Sequence, residues 1–233
     1  MALSRKVDAV KNDLQKIGIA PSGDRPELVG NVKVTRQDWL AGAMDVLISD
    51  GVEQVKILTL GERLGVSRSS FYWYFSSRQD LLNALLDHWE NANTKALVKQ
   101  AGLAAETITE SVCNVFRCFI DARLFNSQLD FAVRDWARRS GSVRSILDRS
   151  DQARLEALTA MFRRFDYETV EARTRARILY YMQIGYNAAE LHEPQEERLK
   201  LLAPYLVGFT GQVARPSEIR AFEDYARSIQ EAL

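Results

Sequence analysis

From Arg68 to Arg78 the chain reads Arg-Ser-Ser-Phe-Tyr-Trp-Tyr-Phe-Ser-Ser-Arg, which gathers guanidinium, hydroxyl, phenol and indole groups into one short run. All of these groups can form hydrogen bonds, and none is a nucleophile with a paired base. From Arg63 to Gln79 there are three arginines and no acid, so the local field is positive. Small hydroxyl and guanidinium side chains at the start of a helix suit phosphates and the edges of bases. Arg68, Ser69 and Ser70 occupy such a start. Arg78 sits at another, where exposed amides add to its charge. Thr35 opens a third and can offer its hydroxyl with the amides it caps. Taken singly, each has a plainer role, because aromatic runs are often core and serines at helix starts often only cap.

The elements that must position these residues are helices. Glycine (12) and proline (5) are scarce, and no stretch alternates apolar and polar residues long enough for a strand. Thr35-x-x-Asp38 is a helix start, followed by an apolar stripe of Trp39, Leu40, Ala43, Val46 and Leu47 that ends near Gly51. Thr59-Leu60-Gly61-Glu62 has the capping-box pattern, and Gly65 ends that helix after Leu64. Ser67 is placed to cap the next helix, through Tyr74, and Ser77 with Asp80 starts a longer one. Two short helices about a glycine-containing turn make a helix-turn-helix. Phe71 and Phe75, four apart, supply its buried side.

Leu60-Gly61, Gly65-Val66-Ser67, Ser69-Ser70, Phe71-Tyr72, Phe75, Arg78 and Asp80-Leu81-Leu82 stand in a register that resembles the DNA-binding signature of the TetR family of bacterial regulators. The resemblance covers about Thr35 to Leu86. It departs at Ser69, where Gly or Ala is usual, and at Arg78, where Lys is commoner. It implies that Thr35, Arg68, Ser69, Ser70, Tyr72, Trp73 and Arg78 meet DNA, with Tyr72 matching a tyrosine that donates to a phosphate and Trp73 beside it. The implied fold is all-α, with residues 1–30 as an extension, 31–82 as a three-helix DNA-binding domain and 83–233 as a helical ligand-binding and dimerisation domain.

Long amphipathic segments are expected over 78–100, 107–123, 127–138, 143–165, 167–191, 195–209 and 217–232. Residues 131–138, Phe-Ala-Val-Arg-Asp-Trp-Ala-Arg, are similar to a stretch in many family members but name no effector. Phe116, Phe119, Phe131, Trp136, Met161, Phe162, Tyr181 and Tyr186 are candidate ligand contacts, although such residues at helical spacing are more often core. The effector implied is a partly apolar small molecule, and its entry would move the helix that begins at Arg78. The resemblance also implies a homodimer through the helices near 167–191 and 195–209. Arg173, Arg175 and Arg177 could then pair with Glu196 and Glu197 across the two-fold axis.

Lys plus Arg and Asp plus Glu number 31 each, so the net charge is zero and no whole-molecule field draws the chain to polyanions. No apolar run is long enough to span a bilayer and no secretory signal opens the chain, which implies a cytoplasmic location. Cys113 and Cys118, five apart on one helix, point to different faces and cannot easily bridge. His88 and His192 lie in no metal-ligand motif, so neither a metal nor a cofactor is expected. Along residues 1–20, Val7, Val10, Leu14 and Ile17 fall on one face of a short helix, before a loop from Ile19 to Pro26. Together these features point to a ligand-responsive repressor on a palindromic double-stranded operator. Two rivals remain: a helical scaffold that does not bind DNA, and a helical enzyme, against which stands the lack of a nucleophile, phosphate loop or metal motif.

Overall fold

The computed structural model describes residues 34–189, 191 and 193–231, and the helix and loop expected within residues 1–30 lie outside them. The residues from Thr35 onward cluster as one compact unit. All regular structure among the described residues is helical: α1 (Arg36–Asp50), α2 (Ile57–Leu64), α3 (Arg68–Phe71), α4 (Arg78–Trp89), α5 (Lys95–Ala101), α6 (Ile108–Ile120), α7 (Ser127–Ala137), α8 (Gly141–Arg163), α9 (Thr169–Ala188), α10 (Gln195–Lys200), α11 (Leu202–Thr210) and α12 (Pro216–Gln230), with a 3₁₀ turn at Val52–Gln54.

Several boundaries follow from local chemistry. Thr35 and Asp38 form the reciprocal box: the Thr35 hydroxyl accepts from the Asp38 amide at 3.3 Å, and Asp38 Oδ2 accepts from the Thr35 amide at 2.7 Å. Bonds from the Thr35 hydroxyl and then from the Thr35 amide hold the Asp38 carboxyl below its usual pKa. Gly65 ends α2 at φ 67°, a left-handed conformation that a residue with a Cβ adopts at a penalty. Ser77 caps α4 by accepting from the Asp80 amide at 3.1 Å.

Three expectations are corrected. Thr59 does not start α2, which begins at Ile57 with Lys56 as its cap; Val55 and Leu60 are both fully buried, so docking on α1 sets the start instead of a capping hydroxyl. Ser67 stands at the N-cap of α3 but makes no capping bond, its hydroxyl lying 2.8 Å from that of Ser69. The single helix expected over 195–209 is two, α10 and α11. Pro204 lacks an N–H, and its ring would clash with the Lys200 carbonyl, so α10 stops at Lys200.

Two apolar centres result. Trp39, Leu60, Phe71, Phe75, Leu81 and Leu85 are buried in the N-terminal helices. Val112, Cys118, Leu158, Met161, Phe162 and Leu179 belong to the larger core formed by α5, α6, α8, α9, α11 and α12. Cys113 and Cys118 are free and buried, and burial raises each thiol to a pKa of about 12, so neither is reactive near neutrality. No helix among the described residues is long and apolar enough to cross a membrane.

Candidate nucleic-acid interface

The turn between α2 and α3 is tight because Gly61 allows it. A Cβ there would meet the Val66 carbonyl oxygen at 3.1 Å, and the Val66 amide donates to the Gly61 carbonyl at 2.9 Å. This close approach brings α3 across α1, where Phe71 packs edge-on against Trp39 at 5.2 Å and stacks with Phe75 at 5.4 Å. Phe71 is 0% exposed. The α-helical part of the recognition segment ends there. Tyr72, Trp73 and Tyr74 continue in i→i+3 bonds to Ser69, Ser70 and Phe71, a tighter winding than the helix expected through Tyr74.

Burial of Phe71 and Phe75 turns the neighbouring side chains outward. Arg68, Ser69 and Tyr72 are exposed, Ser70 is half-buried, and Trp73 is 84% exposed. Arg68 Nη2 donates to the Tyr72 hydroxyl oxygen at 3.1 Å, which leaves the phenol proton available to an acceptor in solution. Ser69 Oγ pairs with Ser67, and Ser70 Oγ donates to the Ser67 carbonyl at 2.9 Å. Thr35 is exposed at the start of α1, but its hydroxyl already donates to Asp38 at 2.7 Å. Sequence reasoning passed over Arg36, whose guanidinium lies 4.8 Å from the centre of the Phe75 ring and adds a cation beside this segment. Its place one residue inside the helix start was the available signal.

Arg78 departs from expectation. Its Nε donates to the Val55 carbonyl and its Nη2 to the Val52 carbonyl, each at 2.6 Å, so the guanidinium ties α4 to the 3₁₀ turn instead of lying free at the helix end. Arg78→Ala is therefore expected to lower unfolding stability by about 1.5–3 kcal/mol, the range for bonds from a charged donor. Urea denaturation checks this, and an unchanged midpoint would return Arg78 to a role at the surface.

In the body, three of the eight candidate ligand contacts converge. Phe116, Phe119 and Tyr186 line a pocket of about 70 Å³ with Met182, Leu199 and Phe222. Met161 and Phe162 are instead sealed in the core and Trp136 is buried, while Phe131 and Tyr181 are 46% and 44% exposed. Arg175 bonds within its own chain, to Glu171 at 2.8 Å and to the Phe209 carbonyl at 2.9 Å.

Residues 40–85 match the family model described as "Bacterial regulatory proteins, tetR family". The match falls on α1 to α4, the helices that build the outward face just described. Over these residues the chain resembles the tetR family. Among curated relatives, it is 35% identical over 54 residues to an HTH-type transcriptional repressor of Mycobacterium tuberculosis, covering 23% of this chain and 21% of that protein. It is 32% identical over 54 residues to an uncharacterized HTH-type transcriptional regulator of Pseudomonas putida, covering 23% of this chain and 40% of that one. The chain thus spans well under two thirds of the length of these relatives. A transcriptional regulator from Rhodococcus superposes with a TM-score of 0.55 at 20% identity, over 77% of this chain and 96% of that chain. AmtR of Mycobacterium smegmatis gives 0.57 at 14% identity, over 85% and 95%. At these identities the likeness shows a shared all-helical fold, with the tetR module leading a larger helical body.

Proposed function

We propose that this tetR-family chain is a homodimeric transcriptional regulator, a repressor, that holds a palindromic operator through the exposed face of α3 and the turns after it. The observation that carries the reading is the division of the recognition segment. Phe71 and Phe75 are buried while Arg68, Tyr72 and Trp73 between and before them stand in solvent. A helix that enters the major groove needs one anchored side and one side of hydrogen-bonding groups. Ser69 and Ser70 complete the face, and Thr35 and Arg36 flank it.

Two further parts of the reading rest on the body. Val170, Ile178 and Tyr181 are exposed at helical spacing on α9, and Leu201 and Val207 are exposed beside and on α11, which fits the pairing of these elements with a second copy. The pocket between α6, α9, α10 and α11, closed by Phe222 of α12, is mostly apolar with Gln183, Glu193, Gln195 and Arg198 among its lining, so it suits a partly apolar effector that carries hydrogen-bonding groups.

Titration of the protein with duplex from upstream of its own gene, over a range of salt, tests the reading. Binding should weaken as salt rises, and Arg68→Ala should alter the preferred sequence by about 1–3 kcal/mol at one base step. A folded protein with no salt-sensitive binding to such DNA would favour a helical scaffold instead.

A further inference from the structure

The helix that leaves the recognition module changes winding where it meets the body. Between α4 and α5 the backbone widens into a π turn at Glu90–Thr94, a form that carries an extra residue and occurs mostly as single turns at functional places. Side chains at and beside this turn are buried and held by polar groups of the body. Trp89 Nε1 donates to Asp130 Oδ1 at 2.9 Å. The Asn93 side chain bonds both the amide and the carbonyl of Asn126, at 3.1 and 2.9 Å, at the start of α7. Thr94 Oγ1 accepts from Arg154 Nε at 3.1 Å.

Arg154 lies on α8 with its side chain wholly buried. Its Nη1 donates to Asp130 at 2.8 Å and to the Tyr180 hydroxyl at 3.2 Å, and its Nη2 is buried with no hydrogen-bond partner among the described residues. Tyr180, on α9, also accepts from Arg134 at 2.9 Å and donates to Asp151 at 2.6 Å. A buried ionic cluster with an unsatisfied donor stabilises less than apolar packing of the same volume. What it does well is fix a position, because any shift of one member breaks bonds to several others. One turn beyond Tyr180, the same helix turns Gln183 and Tyr186 into the apolar pocket.

We infer that Tyr180, Arg154 and Asp130 are positioning residues that couple the placement of α9 to the angle at which α4 leaves the body, with the π turn as the compliant element between them. The inference rests on the DNA-binding reading, since the angle of α4 sets where α3 meets a groove. No member of the cluster touches the recognition face, so any effect on operator binding must travel through α4.

Full-length protein tests this with an operator selected by the wild type from random duplexes. Dissociation constants for that operator and for an unrelated duplex are compared for Tyr180→Phe, Trp89→Phe and the double variant. Circular dichroism confirms folding, and Thr94→Val replaces Trp89→Phe should the latter melt. Each single change should weaken operator binding about 5- to 150-fold, the usual span of coupling between sites, with binding to the unrelated duplex unchanged. The double variant should bind within about twofold of the worse single, because both changes break one network. Wild-type operator affinity in the folded variants, equal losses on both duplexes, or additive losses would each overturn the inference. A wild type that selects no sequence would overturn the DNA-binding reading itself, and the inference with it.

Discussion

Asp130→Ala is expected to cost about 3–5 kcal/mol of unfolding free energy, as the removal of one partner from a buried ion pair does. Asp130 is buried, and its two oxygens accept from Trp89, Arg154 and Arg134 at 2.8–2.9 Å. Alanine would leave Arg154 sealed with only Tyr180 and Thr94 as hydrogen-bond partners. The same site predicts how acid acts. Burial pushes the Asp130 carboxyl up, but the charges of Arg154 and Arg134 and the bonds from Arg154 and Trp89 outweigh it, so its pKa lies below the ordinary value. A carboxylate with a depressed folded pKa adds stability that is present above its unfolded pKa of about 3.9 and is lost as pH falls through the folded value. Asp121, lowered to about 2 first by its bond from Arg123, acts in the same direction. Urea midpoints between about pH 5 and 2 should therefore fall steeply for the wild type and less steeply for Asp130→Ala. Parallel slopes would show that Asp130 is not the group that titrates. Asp130→Leu with Arg154→Met should recover part of the loss, since apolar replacement of a buried ion pair is often neutral. Full recovery is not expected, because the Trp89 Nε1 donor loses its acceptor and Arg134 keeps only Asp151 and Tyr180.

The contrast between that cluster and the helix-turn-helix explains what a sequence can disclose. Thr35 with Asp38, Gly65 after Leu64, Ser77 with Asp80 and the pair Phe71 and Phe75 all act within four residues. Rules of capping, left-handed glycine and helical spacing therefore reach them directly. The tetR register implies that Arg68, Tyr72 and Trp73 meet DNA, and all three are exposed. The Arg78 bonds to the carbonyls of Val52 and Val55 are beyond such rules, because these partners lie 26 and 23 residues back in a turn that exists only once α1 and α4 have packed. Asp130 and Arg154 read as ordinary charges on two amphipathic helices, and only the packing of α7 on α8 brings them to 2.8 Å. The break at Pro204 was within reach of a local rule, and the apolar run around it concealed it. Of the proposed ligand contacts, spacing could name apolar positions but could not separate Phe119, at a pocket, from Phe162, in sealed core.

Phe71 and Trp73 are two residues apart, and their replacement by alanine should have opposite consequences. Phe71 fills the space between Trp39 and Phe75 and is wholly buried, so Phe71→Ala should cost about 3–5 kcal/mol. The α-helical part of α3 is four residues long and has little hydrogen bonding of its own to oppose the loss. Amide exchange should consequently rise from Ile57 to Arg78 while α6 and α8 stay protected, and sequence-specific DNA binding should vanish before the body unfolds. Trp73 is almost fully exposed, so Trp73→Ala should change stability by less than about 0.5 kcal/mol. Its expected effect is on operator affinity, about 1–3 kcal/mol if the indole meets a base edge in the groove. A large indole held in water burdens solubility without aiding the fold, which is reason to look for a partner that covers it. If Trp73→Ala left operator binding intact while Phe71→Ala abolished it, Trp73 would lie outside the contact and the surface would rest on Arg68 and Tyr72. If Trp73→Ala instead weakened binding with an unchanged melting temperature, the exposed face of α3 and the turns after it would be established as the surface that meets DNA.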